Sequence, residues 1–358
     1  MIGVRVAFYA PLKPPDHPTP SGDRRVARLL MEALSLGGHA PVLASRFRSR
    51  DAGGDADGSI EASGAAEMRH CLARMKAEPP DAWLTYHLYY KAPDWIGPPI
   101  ARELRIPYLV AEASVAPKRA VGTFARGHQA VVDALGQAAA VLALSRLDME
   151  CLAPVTAKLH HFPPFLDAAR FAAGRTENDP PQLLAVGMMR ADAKLRSYLL
   201  LAAAMKHIVD RRWRLRVVGD GAARAEIEAA FASLGDRVQF HGAATPEELP
   251  TLYAAADLLV WPAVDEAFGM ALLEAQAAGT PVVAGGYGGV PEVVADGVSG
   301  LVTPPGDVAA FALAVASLLD DPTRLKAMSR AARDHIRDNH DMPEAARRLD
   351  AILTSVTR

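Results

Sequence analysis

Short apolar runs along this chain alternate with longer segments whose apolar residues recur every three or four positions. The short runs are typical of buried strands, and the longer segments are typical of amphipathic helices. The runs that predict strands lie at residues 4–10, 40–45, 82–86, 106–111, 138–144, 183–186, 215–219, 238–240, 258–261 and 280–284. Because strands and helices alternate, the pattern predicts an α/β protein built on parallel sheets.

The stretch of residues 257–306 combines regular structure with candidate chemistry. Its first apolar run ends at Pro262, and a short loop carrying Glu266 follows. Gly269 then precedes a helical pattern, which Gly279 is placed to end. The stretch therefore predicts a strand, an acidic loop, a short helix and a second strand. In parallel α/β sheets, ligands bind at this edge, beyond the carboxyl ends of the strands.

The start of that helix predicts an anion site. The first-turn amides, from Gly269 to Leu272, have no partner within the helix and lie at the positive end of its dipole. Such an end suits a diphosphate. Glu274, farther along the helix, can accept hydrogen bonds from two vicinal ribose hydroxyls. With Glu266 on the other side of the phosphate site, the arrangement indicates a nucleotide-sugar pocket.

Glu266 and Glu274 also form a Glu-x7-Glu pattern that is embedded in further characteristic residues. The chain resembles, on these residues, the retaining GT-B glycosyltransferases of family 4. The matching residues around the two glutamates are Phe268-Gly269, Ala275, Ala278-Gly279, Pro281-Val282-Val283, Gly288-Gly289, Gly297-Val298-Ser299-Gly300-Leu301-Val302 and Pro305-Gly306-Asp307.

The resemblance implies a fold, a reaction and a set of partners. The fold would be GT-B, with two Rossmann-like doubly wound domains facing a central cleft. The reaction would move a sugar, with retention, from a nucleotide diphosphate sugar to an acceptor, as in glycan biosynthesis. The nucleotide sugar would be a co-substrate, and no metal or other cofactor is expected. The acceptor stays open between a glycan, a lipid-linked molecule and a small molecule.

The resemblance also implies roles for particular residues. Glu266 would orient the sugar hydroxyls, while Lys194 and Arg190 would neutralise charge on the leaving diphosphate. Relatives place the arginine directly after the glycine, whereas Arg190 stands three positions after Gly187. Alternatively, both cations are surface residues at the start of a helix. The donor-binding residues would be Gly22, Gly219, Ala243, Phe268, Gly269, Met270, Ala271, Leu272 and Glu274.

The N-terminal half offers candidates for the acceptor side. His87 and Glu112 follow two predicted strands, and relatives carry a histidine near the position of Glu112. Lys118, Arg119 and Arg126 form a basic cluster that could meet a phosphorylated acceptor. The alternatives are a structural histidine and a solvated charged face.

The expected division is an N-terminal, acceptor-side domain over residues 1–175 and a C-terminal nucleotide-sugar domain over residues 176–342. A polar segment that ends in two prolines, residues 174–181, is the expected linker. The last helix, about residues 343–358, is expected to pack back on the first domain.

Composition narrows the class of partner. The net charge of −2 argues against a nucleic-acid binder. The N-terminal half is mildly more basic than the C-terminal half, which permits peripheral contact with an anionic inner membrane surface. Two cysteines are too few for a disulfide framework, so a reducing cytoplasm is expected. No apolar run is long enough to span a bilayer, and the N-terminal run predicts a strand rather than a signal peptide. The oligomeric state stays open.

Two other functions fit parts of this pattern. A nucleotide-sugar epimerase of similar architecture would convert the donor without an acceptor. An inactive subunit that only binds nucleotide sugars should lack one of Glu266, Glu274 and Lys194, and all three are present.

Overall fold

A computed structural model describes residues 3–19, 21–55, 57–172, 174, 176 and 178–357. The described chain forms two compact units, each built on one parallel sheet. The first unit runs to Pro163 and resumes at Met342, and the second is Pro164–Asp341.

Six parallel strands form the sheet of the first unit in the order β2-β1-β3-β4-β5-β6. The strands are β1 (Arg5–Tyr9), β2 (Ala40–Leu43), β3 (Ala82–Leu88), β4 (Tyr108–Ala113), β5 (Ala140–Ala143) and β6 (Leu159–His161). The helices are α1 (Gly22–Leu36), α2 (Ser59–Ala77), α3 (Gly97–Leu104), α4 (Ala125–Gln137) and α5 (Arg146–Leu152), with a 3₁₀ turn at Pro117–Arg119. β5 is buried at every position, as the apolar pattern of a central strand predicts.

The sheet of the second unit has the order β12-β11-β10-β7-β8-β9, again all parallel. Its strands are β7 (Gln182–Val186), β8 (Arg214–Val218), β9 (Val238–Gly242), β10 (Leu258–Trp261), β11 (Val282–Gly285) and β12 (Gly300–Thr303). Its helices are α6 (Ala193–Lys206), α7 (Arg224–Phe231), α8 (Leu249–Ala254), α9 (Met270–Ala277), α10 (Val290–Val293), α11 (Val308–Leu319) and α12 (Pro322–Asn339), with 3₁₀ turns at Ala168–Phe171 and Ala232–Arg237.

The last helix, α13 (Met342–Thr357), packs against α1 within the first unit. Asp350 on α13 lies 3.5 Å from Nε2 of His39, through its Oδ1 atom. Burial lowers the pKa of His39, so this imidazole favours the neutral form despite the nearby carboxylate.

The boundary between the units lies at residues 163–164, twelve positions before the expected one. Leu166 and Phe171 are buried in the core of the second unit, and the Leu166 amide donates to the His340 carbonyl at 2.9 Å. Within the expected linker, residues 175 and 177 lie outside the described residues. Asn178, toward its end, donates to Asp257 at 3.0 Å, so this part is anchored in the second unit.

Several expected elements shift by a few residues. The strand expected at 106–111 is β4, Tyr108–Ala113, so Glu112 lies within a strand and not beyond its end. Helix α1 begins at Gly22, because the Ser21 hydroxyl caps it by accepting from the Arg24 amide at 3.2 Å. Gly22, expected to bind the donor, therefore lies in the first turn of α1. β6 and β12 were missed, since both are short and lack a strong apolar run.

Among the described helices, none is both long enough and apolar enough to span a membrane.

Candidate functional site

The sheet of the second unit reverses its strand order between β7 and β10. Counted within this unit, the order is the 3-2-1-4-5-6 arrangement of doubly wound nucleotide-binding sheets. The two strands that flank the reversal end at Val186 and Trp261. Ligands of such folds bind in the crevice beyond these two strand ends, so the loops that follow them form the candidate site.

Lys194 and Glu266 meet at this crevice. Lys194 lies in the first turn of α6, and Glu266 lies on the loop after β10. Their side chains form an ion pair between Nζ and Oε2, and both are largely buried, with 19% and 17% of their areas exposed. The sequence predicted a donor role for each residue separately. The structure adds that each is the other's partner.

Trp261, the last residue of β10, contacts both residues of this pair. Its Nε1 donates to Oε2 of Glu266 at 3.2 Å, and Nζ of Lys194 lies 5.3 Å from the centre of its ring. The indole is 2% exposed. Sequence reasoning treated Trp261 only as the end of a buried strand, and its aromatic side chain with an N–H donor was the available signal.

Helix α6 holds the Glu266 loop at two further points. The Val264 amide donates to the Ser197 hydroxyl at 2.9 Å, and Arg196 forms an ion pair with Asp265. Asp265 itself has a φ of +51°, which is uncommon outside glycine and carries strain of about 1–3 kcal/mol. The loop is therefore held by its neighbours in a shape that the chain alone disfavours.

The Gly288-Gly289 pair supports the same loop from the other side. Gly288 has a φ of +49°, and a Cβ atom there would lie 2.4 Å from the Glu266 carbonyl oxygen. The Gly289 amide donates to the Ala267 carbonyl at 2.6 Å. A Cβ atom at either position would collide with the loop backbone, which explains why both positions are glycine.

Helix α9 starts as expected, with one exception. Gly269 precedes it with a φ of +76°, and the amides of Met270 and Ala271 lie in the first turn, before helical partners are available. The Leu272 amide, expected to be unpaired, donates to the Gly269 carbonyl at 2.9 Å, because the first turn is tightened. Phe268 is half-buried and packs against the core of the unit.

Glu274 is buried on the inner side of α9. It is 3% exposed, and Oε2 accepts a hydrogen bond from the Tyr253 hydroxyl at 2.7 Å. The sequence predicted ribose binding and did not anticipate this internal partner. The carboxylate therefore has a structural role beside any donor-binding role.

Arg190 forms an ion pair with Asp192 and not with Glu266. Its Nε is 3.0 Å from Oδ2 of Asp192, and 55% of its side chain is exposed. Asp192 also caps α6, since Oδ1 accepts from the Lys194 amide at 2.9 Å. Met189, just before Arg190, is buried in the core and has a packing role, whereas Met188 is exposed.

Gly219 and Ala243 follow neighbouring strands of the same sheet. Gly219 has a φ of +148°, and a Cβ atom would lie 1.9 Å from the Gly187 carbonyl oxygen. The close approach of the ends of β7 and β8 therefore requires this glycine. Ala243 is exposed directly beyond β9.

In the first unit the strand order reverses between β1 and β3, and His87 lies near the end of β3. Its Nδ1 is 3.1 Å from Oδ1 of Asp23 and 3.6 Å from Oε1 of Glu112. His87 and Glu112 have left-handed φ values of +61° and +58°. Adjacent strained residues of this kind occur at functional sites. Sequence reasoning identified the histidine and the glutamate but missed Asp23, in the first turn of α1.

The three groups shift one another's ionisation. Burial opposes the imidazolium form of His87, but the adjacent Asp23 carboxylate and the charge of Glu112 outweigh it and raise the pKa of His87. The interaction with His87 lowers the pKa of Asp23. Burial raises the pKa of Glu112, against the opposing charge of His87.

The three basic residues that were expected to form one anion site, Lys118, Arg119 and Arg126, have different surroundings. Arg126 is paired with Glu61 at 2.7 Å. The Arg119 guanidinium stacks on Phe124, 5.0 Å from the ring centre. Lys118 is exposed in the 3₁₀ turn.

Metal ligands are not grouped in the described part of the chain. No cluster of three or more His, Cys, Asp or Glu side chains there is arranged to hold a metal ion.

The two doubly wound units define the fold of this protein. Their combination matches solved GT-B glycosyltransferase structures over nearly the whole chain. A glycosyltransferase from Rickettsia africae ESF-5 matches with a TM-score of 0.78 at 16% identity, covering 99% of both chains. The Anabaena protein HepE in complex with UDP matches with a TM-score of 0.72 at 16% identity, covering 98% of this chain and 100% of that one. The expected GT-B fold is confirmed.

The family comparison concerns the second unit. Residues 168–335 match the family described as glycosyl transferases group 1. The 2-deoxystreptamine glucosyltransferase of Streptomyces kanamyceticus is 41% identical over 138 residues, 38% of this chain and 36% of that protein. The D-inositol 3-phosphate glycosyltransferase of Segniliparus rotundus is 37% identical over 193 residues, 50% of this chain and 43% of that protein. The chain thus spans less than half the length of these curated relatives.

Proposed function

We propose that this protein is a retaining glycosyltransferase of family 4, which moves a sugar from a nucleotide diphosphate sugar to a hydroxyl acceptor. The observation that carries the proposal is the Lys194–Glu266 pair at the strand reversal of the second sheet. One cation and one carboxylate there suit the diphosphate and the sugar of a nucleotide sugar. The match of residues 168–335 to glycosyl transferases group 1 supports the same function.

The donor would be held by α9 and the start of α6. The first-turn amides of Met270 and Ala271 would bind the diphosphate at the positive end of the helix dipole. Lys194 would approach the phosphate oxygens, and Arg190, whose side chain is half-exposed, would leave Asp192 to add a second cation. Glu266 would accept hydrogen bonds from the sugar hydroxyls, and Glu274 from the ribose.

In the reaction, the acceptor oxygen would form a bond to the anomeric carbon while the bond from that carbon to the phosphate oxygen breaks. The acceptor attacks the face from which the diphosphate departs, so configuration is retained. The acceptor proton would pass to the leaving nucleoside diphosphate. Lys194 stabilises the negative charge that grows on the phosphate, which is a charge-stabilising role rather than proton transfer.

The acceptor would bind to the first unit beside His87, Glu112 and Asp23. Their carboxylates accept hydrogen bonds, so they suit a polyhydroxylated molecule. Arg119 and Lys118 would border this site. The candidate acceptors are a glycan, a lipid-linked molecule and a small molecule, with peripheral contact at the inner membrane surface as a further proposal.

UDP-glucose is the first donor to test, because HepE has been solved in complex with UDP and with UDP-glucose. The acceptors to test first are 2-deoxystreptamine and D-inositol 3-phosphate, which the names of the relatives supply. A panel of UDP-, GDP-, ADP- and TDP-sugars extends the screen, with binding followed by thermal shift. NMR of the product then gives the configuration of the new bond.

The outcomes separate the alternatives. A product with the donor's anomeric configuration supports the proposal, and the inverted configuration contradicts its retaining part. Conversion of the donor sugar without an acceptor would favour an epimerase. Nucleotide-sugar binding without any product across the acceptor panel would favour a binding subunit.

A further inference from the structure

Both contacts to the Glu266 carboxylate end on the same oxygen. Lys194 and the Trp261 indole both reach Oε2, one as an ion pair and the other as a hydrogen bond of 3.2 Å. The two partners differ in charge. Lys194 is a cation that a diphosphate attracts, whereas the indole N–H is a neutral donor that a diphosphate leaves in place.

From this difference we propose that Trp261 is a positioning residue for the transfer reaction. When the donor diphosphate draws Lys194 away from Glu266, the Trp261 indole keeps Oε2 in place and leaves Oε1 directed to the sugar. The inference rests on the proposed function and concerns the same site.

The surroundings of Trp261 suit this role. The indole packs edge-on against Tyr198, with ring centres 4.9 Å apart, and the Tyr198 hydroxyl donates to the Gly187 carbonyl at 2.7 Å. A Cβ atom on Gly187 would lie 3.0 Å from the indole ring. The ring is therefore packed from two sides. Its N–H group stays at one position while Lys194, on a flexible four-carbon side chain, changes partner.

Trp213 provides a matched control in the same unit. It is also 2% exposed, and its Nε1 donates to the Ile208 carbonyl at 2.8 Å, a main-chain contact with no site residue. Replacing either tryptophan by phenylalanine removes a similar volume and one hydrogen bond from the core. A purely structural role predicts similar effects for the two variants.

The first experiment compares Trp261→Phe and Trp213→Phe with the wild type by steady-state kinetics with UDP-glucose. For Trp261→Phe we expect kcat to fall by about 10- to 100-fold, on the scale of a misplaced catalytic group, with the donor KM changed by less than about threefold. Trp213→Phe should keep both constants within about twofold. Wild-type kcat in Trp261→Phe, or an equal fall in Trp213→Phe, would overturn the inference.

A double-mutant cycle tests whether the indole acts through Glu266. In a Glu266→Gln background, adding Trp261→Phe should lower kcat by less than about threefold, because the charged partner is already gone. Trp213→Phe should have the same effect in both backgrounds. Full additivity of Trp261→Phe and Glu266→Gln contradicts a positioning role.

A binding measurement keeps the inference testable if no protein turns over UDP-glucose. Titration with UDP should change tryptophan fluorescence in the wild type and in Trp213→Phe, since Lys194 leaves the Trp261 ring. Trp261→Phe should bind UDP with a Kd within about threefold by calorimetry but lose this fluorescence change. An unchanged tryptophan fluorescence in the wild type at saturating UDP would show that Lys194 does not leave the ring, and would overturn the exchange of partners. Absence of turnover in the wild type itself would instead count against the proposed function.

Discussion

Lys194 and Glu266 lie 72 positions apart in the chain, and their side chains form an ion pair between α6 and the loop after β10. Each residue is thereby neutralised before a donor arrives. A diphosphate must compete with Glu266 for Lys194, and a sugar hydroxyl must compete with Lys194 for Glu266. A donor that supplied both groups would replace both halves of the pair, so under the proposed function the site would favour an intact nucleotide sugar over either part alone.

Replacing Lys194 should separate binding from chemistry. Negative charge on the phosphate grows as the sugar bond breaks, so Lys194→Ala should lower kcat by about 10²–10³ and change the donor KM much less. Lys194→Arg should restore only part of the rate, because the planar guanidinium group of arginine does not occupy the position of the compact lysine ammonium. Lys206→Ala, at the other end of α6, is the control. A Lys194→Ala enzyme with unchanged kcat and a raised KM would assign Lys194 to ground-state binding.

Glu274→Ala should have two effects. Loss of the ribose contacts should weaken UDP binding by about 1.5–3 kcal/mol, the range for hydrogen bonds to a charged group. The buried Tyr253 hydroxyl would also lose its hydrogen bond to Glu274, so the free energy of unfolding should fall by about 1–3 kcal/mol. Tyr253→Phe removes the internal bond alone and should leave UDP affinity nearly unchanged. Calorimetry and urea unfolding measure the two effects, and unchanged UDP affinity in Glu274→Ala would exclude the ribose role.

Gly288→Ala should disturb the Glu266 loop. A positive φ and a contact of 2.4 Å to the Glu266 carbonyl oxygen should together cost about 1–3 kcal/mol of stability and reduce activity. Gly136→Ala is a matched control on α4, because no atom lies within 4 Å of its added Cβ and its φ is ordinary. That variant should be neutral or slightly more stable. Equal unfolding midpoints for the two variants would contradict the close approach at Gly288.

The Asp23–His87 pair should give a pH-dependent stability. The folded pKa of His87 is raised above 6.5, so its contribution is complete below pH 6.5 and is lost as pH rises through the folded value. The folded pKa of Asp23 is lowered below 3.8, so its contribution is complete above pH 3.8 and is lost on acidification through the folded value. Between pH 3.8 and pH 6.5, both residues make their complete contribution to the free energy of unfolding. In His87→Gln, the loss of unfolding free energy above pH 6.5 should be smaller than in the wild type, and identical urea midpoints for the two proteins across that range would contradict it.

Turnover should persist in excess EDTA. Lys194, Arg190 and the first turn of α9 would supply the positive field that a metal supplies in other transferases. The measurement is initial rate with UDP-glucose before and after chelation, with Mg²⁺ and Mn²⁺ added back. Activity that is lost in EDTA and restored by either ion would show that metal independence is wrong.

The sequence anticipated much of the second unit because its motifs reflect local requirements. Gly269 was expected at a helix start, and its positive φ is a conformation that glycine adopts without strain. Glu266 and Lys194 were predicted from a family pattern, one residue at a time. Leu272 was assigned a free amide by a rule for regular helices, and the tightened first turn contradicts it. The rule describes an ideal helix end and cannot foresee a local 3₁₀ bond.

The first unit shows where such reasoning stops. His87 stood out as a polar residue at the end of an apolar run, whereas Asp23 looked like an ordinary acidic residue in a first helical turn. Its significance depends on the sheet order that places β3 beside β1, and on the left-handed backbone at His87. Nothing near Asp23 in the chain specifies either feature.

By itself, then, the sequence determined the alternation of strands and helices, the glycines that sharp turns need, and the types of charged group at the strand ends. These follow from local steric limits and from the spacing of apolar residues. The tertiary structure alone decided that Trp261 and Lys194 share one oxygen of Glu266, that Tyr253 binds Glu274, and that the boundary lies at residues 163–164. Such pairings depend on which strand ends become neighbours in the folded sheet, because distant residues meet only when packing of the whole unit brings them together.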